Sequence, residues 1–188
     1  MSQSLSGRRL VVGVTGGVAA YKTASLVSRC VQAGADVSVV MTESAERFVG
    51  RATFEALTGR TVYSAVFDNP RRPLGAHIEL AQDAQLLCIA PATANFLAKA
   101  ATGMADDLLS TLYLSHTGPT LIAPAMNSEM WSKPAVQRNI KQLCADGVQF
   151  VEPGEGWLSC RQQGKGRMAE PETILTAIEA ILNEPKKP

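Results

Sequence analysis

Three short runs of the chain are apolar almost without interruption: Leu10-Val11-Val12-Gly13-Val14, Leu86-Leu87-Cys88-Ile89-Ala90 and Leu121-Ile122-Ala123. A strand apolar toward both faces must be covered on both, which is the condition of a parallel sheet with helices packed on each side. The intervening segments supply the helices. Val18 to Ala33 carries apolar residues at helical spacing and closes on Gly34 as the C′ residue, and Val37 to Met41 then reads as a second strand, completing a βαβ unit. Thr42 reads as the N-cap of a helix starting near Glu43. Pro91 and Pro124 end the strands before them, and Asn95 to Ala101 and Asp106 to Leu114 read as helices separated by Gly103. A helix from Pro134 to Cys144, a strand from Val148 to Val151, a helix from Glu172 to Leu182 and a polar tail complete the chain. The alternation predicts an α/β fold: a single doubly wound parallel sheet, Rossmann-like or flavodoxin-like, with helices on both faces. Residues 1–188 are expected to form one domain with a folded core over 7–183 and a tail at 184–188. With aromatic residues at 5%, that core must rest on Ala, Val, Leu and Ile.

Charge and composition remove several functions. The 18 basic residues against 17 acidic leave a net charge of +1, without the summed positive field with which a nucleic-acid binder collects phosphates. No stretch reaches the roughly 18 uninterrupted apolar residues of a membrane span. Arg8-Arg9 ahead of an apolar run superficially resembles a signal peptide, but Thr15-Gly16-Gly17 interrupts that run and a strand followed by a glycine turn explains the same residues. The expected location is therefore cytoplasmic. The four cysteines include no C-x-x-C pair and there are two histidines, so no metal site is expected. Cys30, Cys88 and Cys144 sit in apolar runs and read as small buried hydrophobes.

In such a sheet ligands bind beyond the carboxyl ends of the strands. Thr15-Gly16-Gly17, Thr42-Glu43-Ser44, Pro91-Ala92-Thr93-Ala94-Asn95 and Pro124-Ala125-Met126-Asn127 each follow a strand and should converge on one edge. Gly16-Gly17 opens a helix, where free N–H groups and the helix dipole favour a phosphate, although a plain tight turn gives the same pattern. It matches neither dinucleotide fingerprint, since Thr15 and Val18 stand where glycines would, nor a Walker A loop, since Tyr21 replaces the second glycine before Lys22-Thr23. Thr42 with Ser44 and Thr93 with Asn95 are either ordinary N-caps or additional ligand donors. His77 stands ahead of a strand, hence on the wrong edge of its own sheet unless a neighbouring subunit supplies it to a shared site; a structural or solvent-facing histidine is the alternative. His116 reads as a C-terminal dipole partner of its helix. Cys160 lies in a segment, about 153–168, with four glycines and with Arg161, Lys165 and Arg167, which would favour its thiolate if they approach the sulfur. A flap carrying a reactive thiol and an incidental surface thiol both fit that pattern.

Taken together, Gly13-Val14-Thr15-Gly16-Gly17-Val18-Ala19-Ala20-Tyr21-Lys22, His77-Ile78-Glu79-Leu80, Ala90-Pro91-Ala92-Thr93-Ala94-Asn95, Gly103-Met104-Ala105-Asp106-Asp107-Leu108, Pro124-Ala125-Met126-Asn127-Ser128-Glu129-Met130-Trp131 and Cys160 with Gly166-Arg167-Met168-Ala169 resemble, in order, the homo-oligomeric flavin-containing cysteine decarboxylases. Within them the match is to the branch that acts on 4′-phosphopantothenoylcysteine in coenzyme A biosynthesis. The P-x-M-N-x-x-M-W pattern is the most specific piece. The resemblance implies FMN held by Gly16, Gly17, Val18, Thr42, Ser44, Thr93, Ala94, Asn95, Phe96 and Ala125. It implies His77 as the base, Cys160 as the proton donor on a closing flap, and Asn127 on the substrate carboxylate, with Met130, Trp157, Leu158 and Ser159 also meeting the substrate. It further implies sites between subunits of a homotrimer or a dodecamer of trimers, and a small phosphorylated cysteine conjugate as partner.

The chemistry explains the need for a flavin. A cysteine carboxylate has no electron sink for the carbanion left by decarboxylation, and oxidation of the Cβ–S unit to a thioaldehyde places a C=S group β to the carboxylate. Loss of carbon dioxide gives an enethiolate, and return of the hydride with a proton from the cysteine yields 4′-phosphopantetheine without net oxidation. An amide such as that of Asn127 orients the carboxylate without the ground-state stabilisation a fixed arginine would give. Two positions depart from the family pattern: Arg161 stands where glycine is usual and Phe96 where threonine is common. Decarboxylation of a peptide's C-terminal cysteine, and a non-catalytic regulatory flavoprotein, are the competing readings; prenyl-flavin synthases share the fold but should lack the P-x-M-N pattern.

Overall fold

The computed structural model describes residues 3–66, 75–157 and 161–184. Strand β1 (Arg9–Val14) leads through a glycine turn into α1 (Ala20–Gln32), and β2 (Asp36–Met41) pairs in parallel with β1 along its whole length. Gly34, at φ +91°, ends α1 as expected. Its amide bonds the Val31 carbonyl and the Ala35 amide bonds that of Cys30, the paired bonds of a Schellman motif. Three helices follow, α2 (Glu43–Glu46), α3 (Arg51–Thr58) and α4 (Ala76–Asp83), before β3 (Leu86–Ala92). Helices α5 (Ala94–Thr102) and α6 (Leu108–Ser115) precede β4 (Thr120–Pro124), and α7 (Ser128–Ser132) and α8 (Pro134–Ala145) precede β5 (Gln149–Phe150). An antiparallel hairpin of β6 (Gly154–Trp157) and β7 (Gln163–Arg167) leads to α9 (Pro171–Asn183).

The sheet order β2-β1-β3-β4-β5, all parallel, is the flavodoxin-like doubly wound order, with its switch point between β1 and β3. Alternate residues of each strand serve opposite layers. Val12, Val14, Cys88, Ala90 and Leu121 pack on one face against Leu26 of α1, Phe54 of α3 and Ile174 and Ile178 of α9. Val11, Leu87, Ile89 and Ile122 face Leu80 of α4, Leu97 of α5, Leu109 of α6 and Leu143 of α8. A Cβ at Gly13 would stand 2.5 Å from Leu109 Cδ1, so α6 lies against β1 only because that position is bare. The core begins earlier than residue 7, with Leu5 fully buried. No described helix is long and apolar enough to cross a membrane.

Several sequence expectations are corrected. Pro91 does not end β3 but lies inside it, where the β3–β4 register shifts between Ile89 and Ala92, so its missing N–H falls at an irregularity rather than in a regular ladder. Pro124 is likewise the last residue of β4. The last sheet strand shortens to two residues. The glycine-rich segment read as a loop is the β6–β7 hairpin, with Gly156 opposite Gly164. Cys144 is exposed, because the buried stripe of α8 runs through Val136 and Leu143 and leaves the next position on the solvent side; burial does push the Cys30 thiol up to about 12 and that of Cys88 higher still, so both are inert. Finally, α4 separates His77 from β3. Its C-terminal end meets the start of β3, and eight residues at about 1.5 Å rise carry the first turn, with His77, back toward the carboxyl edge.

Candidate functional site

A cleft of about 400 Å³ opens at the switch point, within the range of small-molecule sites. Its floor is the turn after β1: the Gly17 amide bonds the Thr15 carbonyl and the Ala20 amide bonds that of Gly17. The leading N–H groups of a helix have no intrahelical acceptor, and Val18 and Ala19, which carry them ahead of α1, line the cleft with Gly16 and Gly17. The two glycines differ in purpose. A Cβ at Gly16 would stand 2.3 Å from Ser44 Cβ, whereas one at Gly17 would meet nothing nearer than Thr93 Cγ2 at 3.8 Å. Gly16 is bare so that α2 can pack on the turn; Gly17 leaves the cleft floor open.

The second wall is the loop after β3. Pro91 offers its carbonyl to the Thr15 hydroxyl at 2.7 Å, and the Ala90 carbonyl accepts the buried Thr23 hydroxyl at 2.7 Å. The Thr15 backbone N–H also donates to the Pro91 carbonyl at 3.3 Å, so two threonines supply additional donors to β3 where its register shifts. Thr93 caps α5, accepting the Phe96 amide at 3.3 Å, and lines the cleft with Ala94. Asn95 is exposed outside the cleft lining, and the Phe96 ring turns into the second core layer, edge-on to Tyr113 at 6.1 Å.

The third wall comes from β4, α7 and the hairpin. Ala125, Met126, Asn127 and Met130 line it together with Trp157, Gly166, Arg167 and Met168. Asn127 caps α7: its Oδ1 accepts the Met130 amide at 2.8 Å, which fixes the side chain and leaves its NH₂ donors for a ligand. The hairpin is seated by the Met126 amide on the Gly166 carbonyl, and a Cβ at Gly166 would stand 2.3 Å from the Met126 carbonyl oxygen.

The cleft therefore gathers Gly16, Gly17, Val18, Thr93, Ala94, Ala125, Asn127, Met130 and Trp157 of the expected residues. Thr42 and Ser44 stand behind the glycine turn. Thr42 is the N-cap of α2 but makes no side-chain cap bond, and its Oγ1 is buried without a partner. His77 is half-buried on α4 with Nδ1 also lacking a partner, and it does not line the cleft. Cys160, Leu158 and Ser159 lie outside the described residues. His116 caps the C-terminal end of α6, its ring nitrogens 3.3 Å from the Ala81 carbonyl and 3.2 Å from that of Pro119. Lys22 and Arg167 were missed as site residues, and they are the charged residues among those described around the cleft. Lys22, 6% exposed, donates to the Met168 carbonyl at 3.3 Å and to Glu170 at 2.8 Å. A lysine inside an otherwise apolar helical stripe was the available signal.

The flavoprotein family model matches residues 1–183. The chain belongs to the flavoprotein family. This flavoprotein is 49% identical over 175 residues to the coenzyme A biosynthesis bifunctional protein CoaBC of Bacillus subtilis (strain 168), an alignment covering 93% of this chain and 43% of that protein. It thus spans less than half the length of that relative. Among solved structures it is similar to the FMN-dependent cysteine decarboxylase SpaF, with TM-score 0.82 and 38% identity over 94% of this chain and 96% of that one. It is also similar to a cysteine-to-serine mutant of PPC decarboxylase complexed with pantothenoylaminoethenethiol, with TM-score 0.83 and 30% identity over 94% and 99% of the two chains.

Proposed function

We propose that this flavoprotein is an FMN-dependent carboxy-lyase converting 4′-phosphopantothenoylcysteine to 4′-phosphopantetheine, a step of coenzyme A biosynthesis. The observation that carries the reading is the shared cleft: a bare glycine turn at the β1/β3 switch point faces the amide of Asn127 across one enclosed space. Likeness to CoaBC and to a PPC decarboxylase supports the choice of substrate.

The residues present fit the cofactor. Gly17 leaves the floor open to a flat ring, and the buried, unpartnered Thr42 hydroxyl behind the turn is a donor awaiting an acceptor, as a phosphate would supply. Gly16, Gly17, Val18, Thr93, Ala94 and Ala125 would hold the group, with Thr42 and Ser44 toward its phosphate. When bound, FMN supplies the reversible two-electron chemistry that gives the cysteine Cβ–S unit an electron sink. Asn127 orients the substrate carboxylate, and the apolar walls at Met130 and Trp157 keep water from it. His77 is assigned the base and Cys160 the proton donor, with Leu158 and Ser159 assigned to the substrate. A trimer, or a dodecamer of trimers, would bring His77 of one subunit toward the cleft of the next, and the exposed Val18 and Tyr21 at the cleft rim support such a contact.

The test is to purify the protein, record its flavin absorbance, and follow carbon dioxide loss by mass spectrometry with phosphopantothenoylcysteine and with a cysteine-ended peptide. Turnover of the first is expected, with Cys160→Ser arrested at an oxidised product. Turnover of the peptide alone makes it a peptide-tailoring enzyme. No turnover with flavin bound makes it a regulatory flavoprotein.

A further inference from the structure

Glu170 lies between the cleft's two cations. Its carboxylate accepts a hydrogen bond from Lys22 Nζ at 2.8 Å and forms an ion pair with Arg167 Nη2 at 3.0 Å. No carboxylate lines the cleft among the described residues, so two positive charges share one negative charge set behind them. The two cations are not equivalent. The Lys22 side chain is 7% exposed and committed to Met168 and Glu170, so it is a fixed post. The Arg167 side chain is 42% exposed and lines the cleft with Trp157 and Met126, and its one ion pair among the described residues, through Nη2 to Glu170, leaves guanidinium donors for a ligand. The guanidinium also lies beside β6, with Nη1 3.4 Å from where a Cβ of Gly156 would be, an ordinary contact. A held guanidinium with spare coplanar donors is suited to a dianionic phosphate monoester, which it can bind through two parallel hydrogen bonds.

We propose that Arg167 recognises the phosphate of the substrate, and that Glu170, pinned by buried Lys22, is the positioning residue that aims it. The inference rests on the substrate reading above and adds its selection rule: the cleft prefers a phosphorylated pantothenoyl conjugate to the same molecule without phosphate, and to a peptide whose residues at that distance are neutral.

The test uses FMN-loaded protein, calorimetric binding of 4′-phosphopantetheine and of pantetheine, and kinetics with phosphorylated and dephosphorylated pantothenoylcysteine. Arg167→Gln is expected to weaken 4′-phosphopantetheine binding and raise KM for the phosphorylated substrate by roughly 10- to 100-fold, with kcat little changed and the dephosphorylated ligands unaffected. Glu170→Gln, which keeps the guanidinium but removes its anchor, should show a smaller loss confined to the same ligands. Equal losses for phosphorylated and dephosphorylated ligands overturn the proposal. So does a fall in flavin retention without loss of phosphate discrimination, which would assign the guanidinium to the cofactor's phosphate. A Glu170→Gln variant that is less stable but equally selective reduces Glu170 to a structural residue and overturns its positioning role. The calorimetric arm stands apart from turnover: a protein that decarboxylates neither substrate yet binds 4′-phosphopantetheine through Arg167 refutes the function proposed above and leaves this inference in place.

Discussion

The amide of Thr93 donates to the hydroxyl of Thr15 over 3.0 Å, and that hydroxyl in turn donates to the Pro91 carbonyl at 2.7 Å. One buried side chain therefore sets the spacing between the turn after β1 and the loop after β3, the two walls of the switch point. Thr15→Val keeps the shape but leaves the Thr93 amide without its acceptor and the Pro91 carbonyl with only the Thr15 backbone N–H. It is expected to cost about 1–3 kcal/mol, read from urea midpoints, and to lower the flavin retained through gel filtration.

The two glycines of the turn separate folding from binding. Gly16→Ala forces a Cβ against Ser44 and should destabilise by about 1–3 kcal/mol. Gly17→Ala meets no close neighbour and should leave stability within about 0.5 kcal/mol while weakening flavin affinity. Thermal melts of the flavin-free variants and flavin titration of both distinguish the cases; equal loss of affinity without loss of stability in both would contradict the assignment.

The Lys22 hydrogen bond, against a smaller opposing effect of burial, holds the Glu170 carboxyl below its ordinary range. A carboxyl lowered by folding contributes stability that is complete above its unfolded value, near 4.3, and is lost as the pH falls through the depressed folded value. Between about pH 5 and the acid limit the protein should lose more stability than Glu170→Gln does. The carboxylate is half-exposed, so the difference will be modest and will shrink in salt. Parallel pH profiles of urea stability check the sign.

Asn127→Asp keeps an N-cap acceptor for the Met130 amide and should leave stability within about 0.5 kcal/mol. It also replaces the amide donor with a second negative charge where the substrate carboxylate is assigned. The expected loss in kcat/KM is roughly 100-fold or more. A variant that loses stability and keeps kcat/KM would confine Asn127 to capping.

The sheet was legible because its strands are apolar on both faces and because Gly34 and Gly103 stop helices where they stand. Less legible were elements whose cause is tertiary. Pro91 reads as a strand end until Thr15 and Thr23, more than 60 residues earlier, are seen to supply its strand with hydroxyls. The hairpin is hidden because its glycines and cations suppress a strand pattern, and its seat on Met126 comes from a distant segment. In the cleft, Asn127 and the glycine turn follow strands and so could be placed by topology alone. Lys22 and Arg167 could not, since their partner Glu170 is 148 residues from the former. Phe96 shows the reverse difference: its amide is taken by the Thr93 cap and its ring belongs to the core.

The seat of the hairpin on Met126 has one more effect. Residue 126 is tied through its amide to the hairpin, and residue 127, next in the chain, holds its amide side chain by capping α7. Any force that lifts the hairpin is thus applied one peptide away from the amide assigned to the substrate carboxylate. Opening the site to an incoming ligand and shifting that amide are then a single mechanical act.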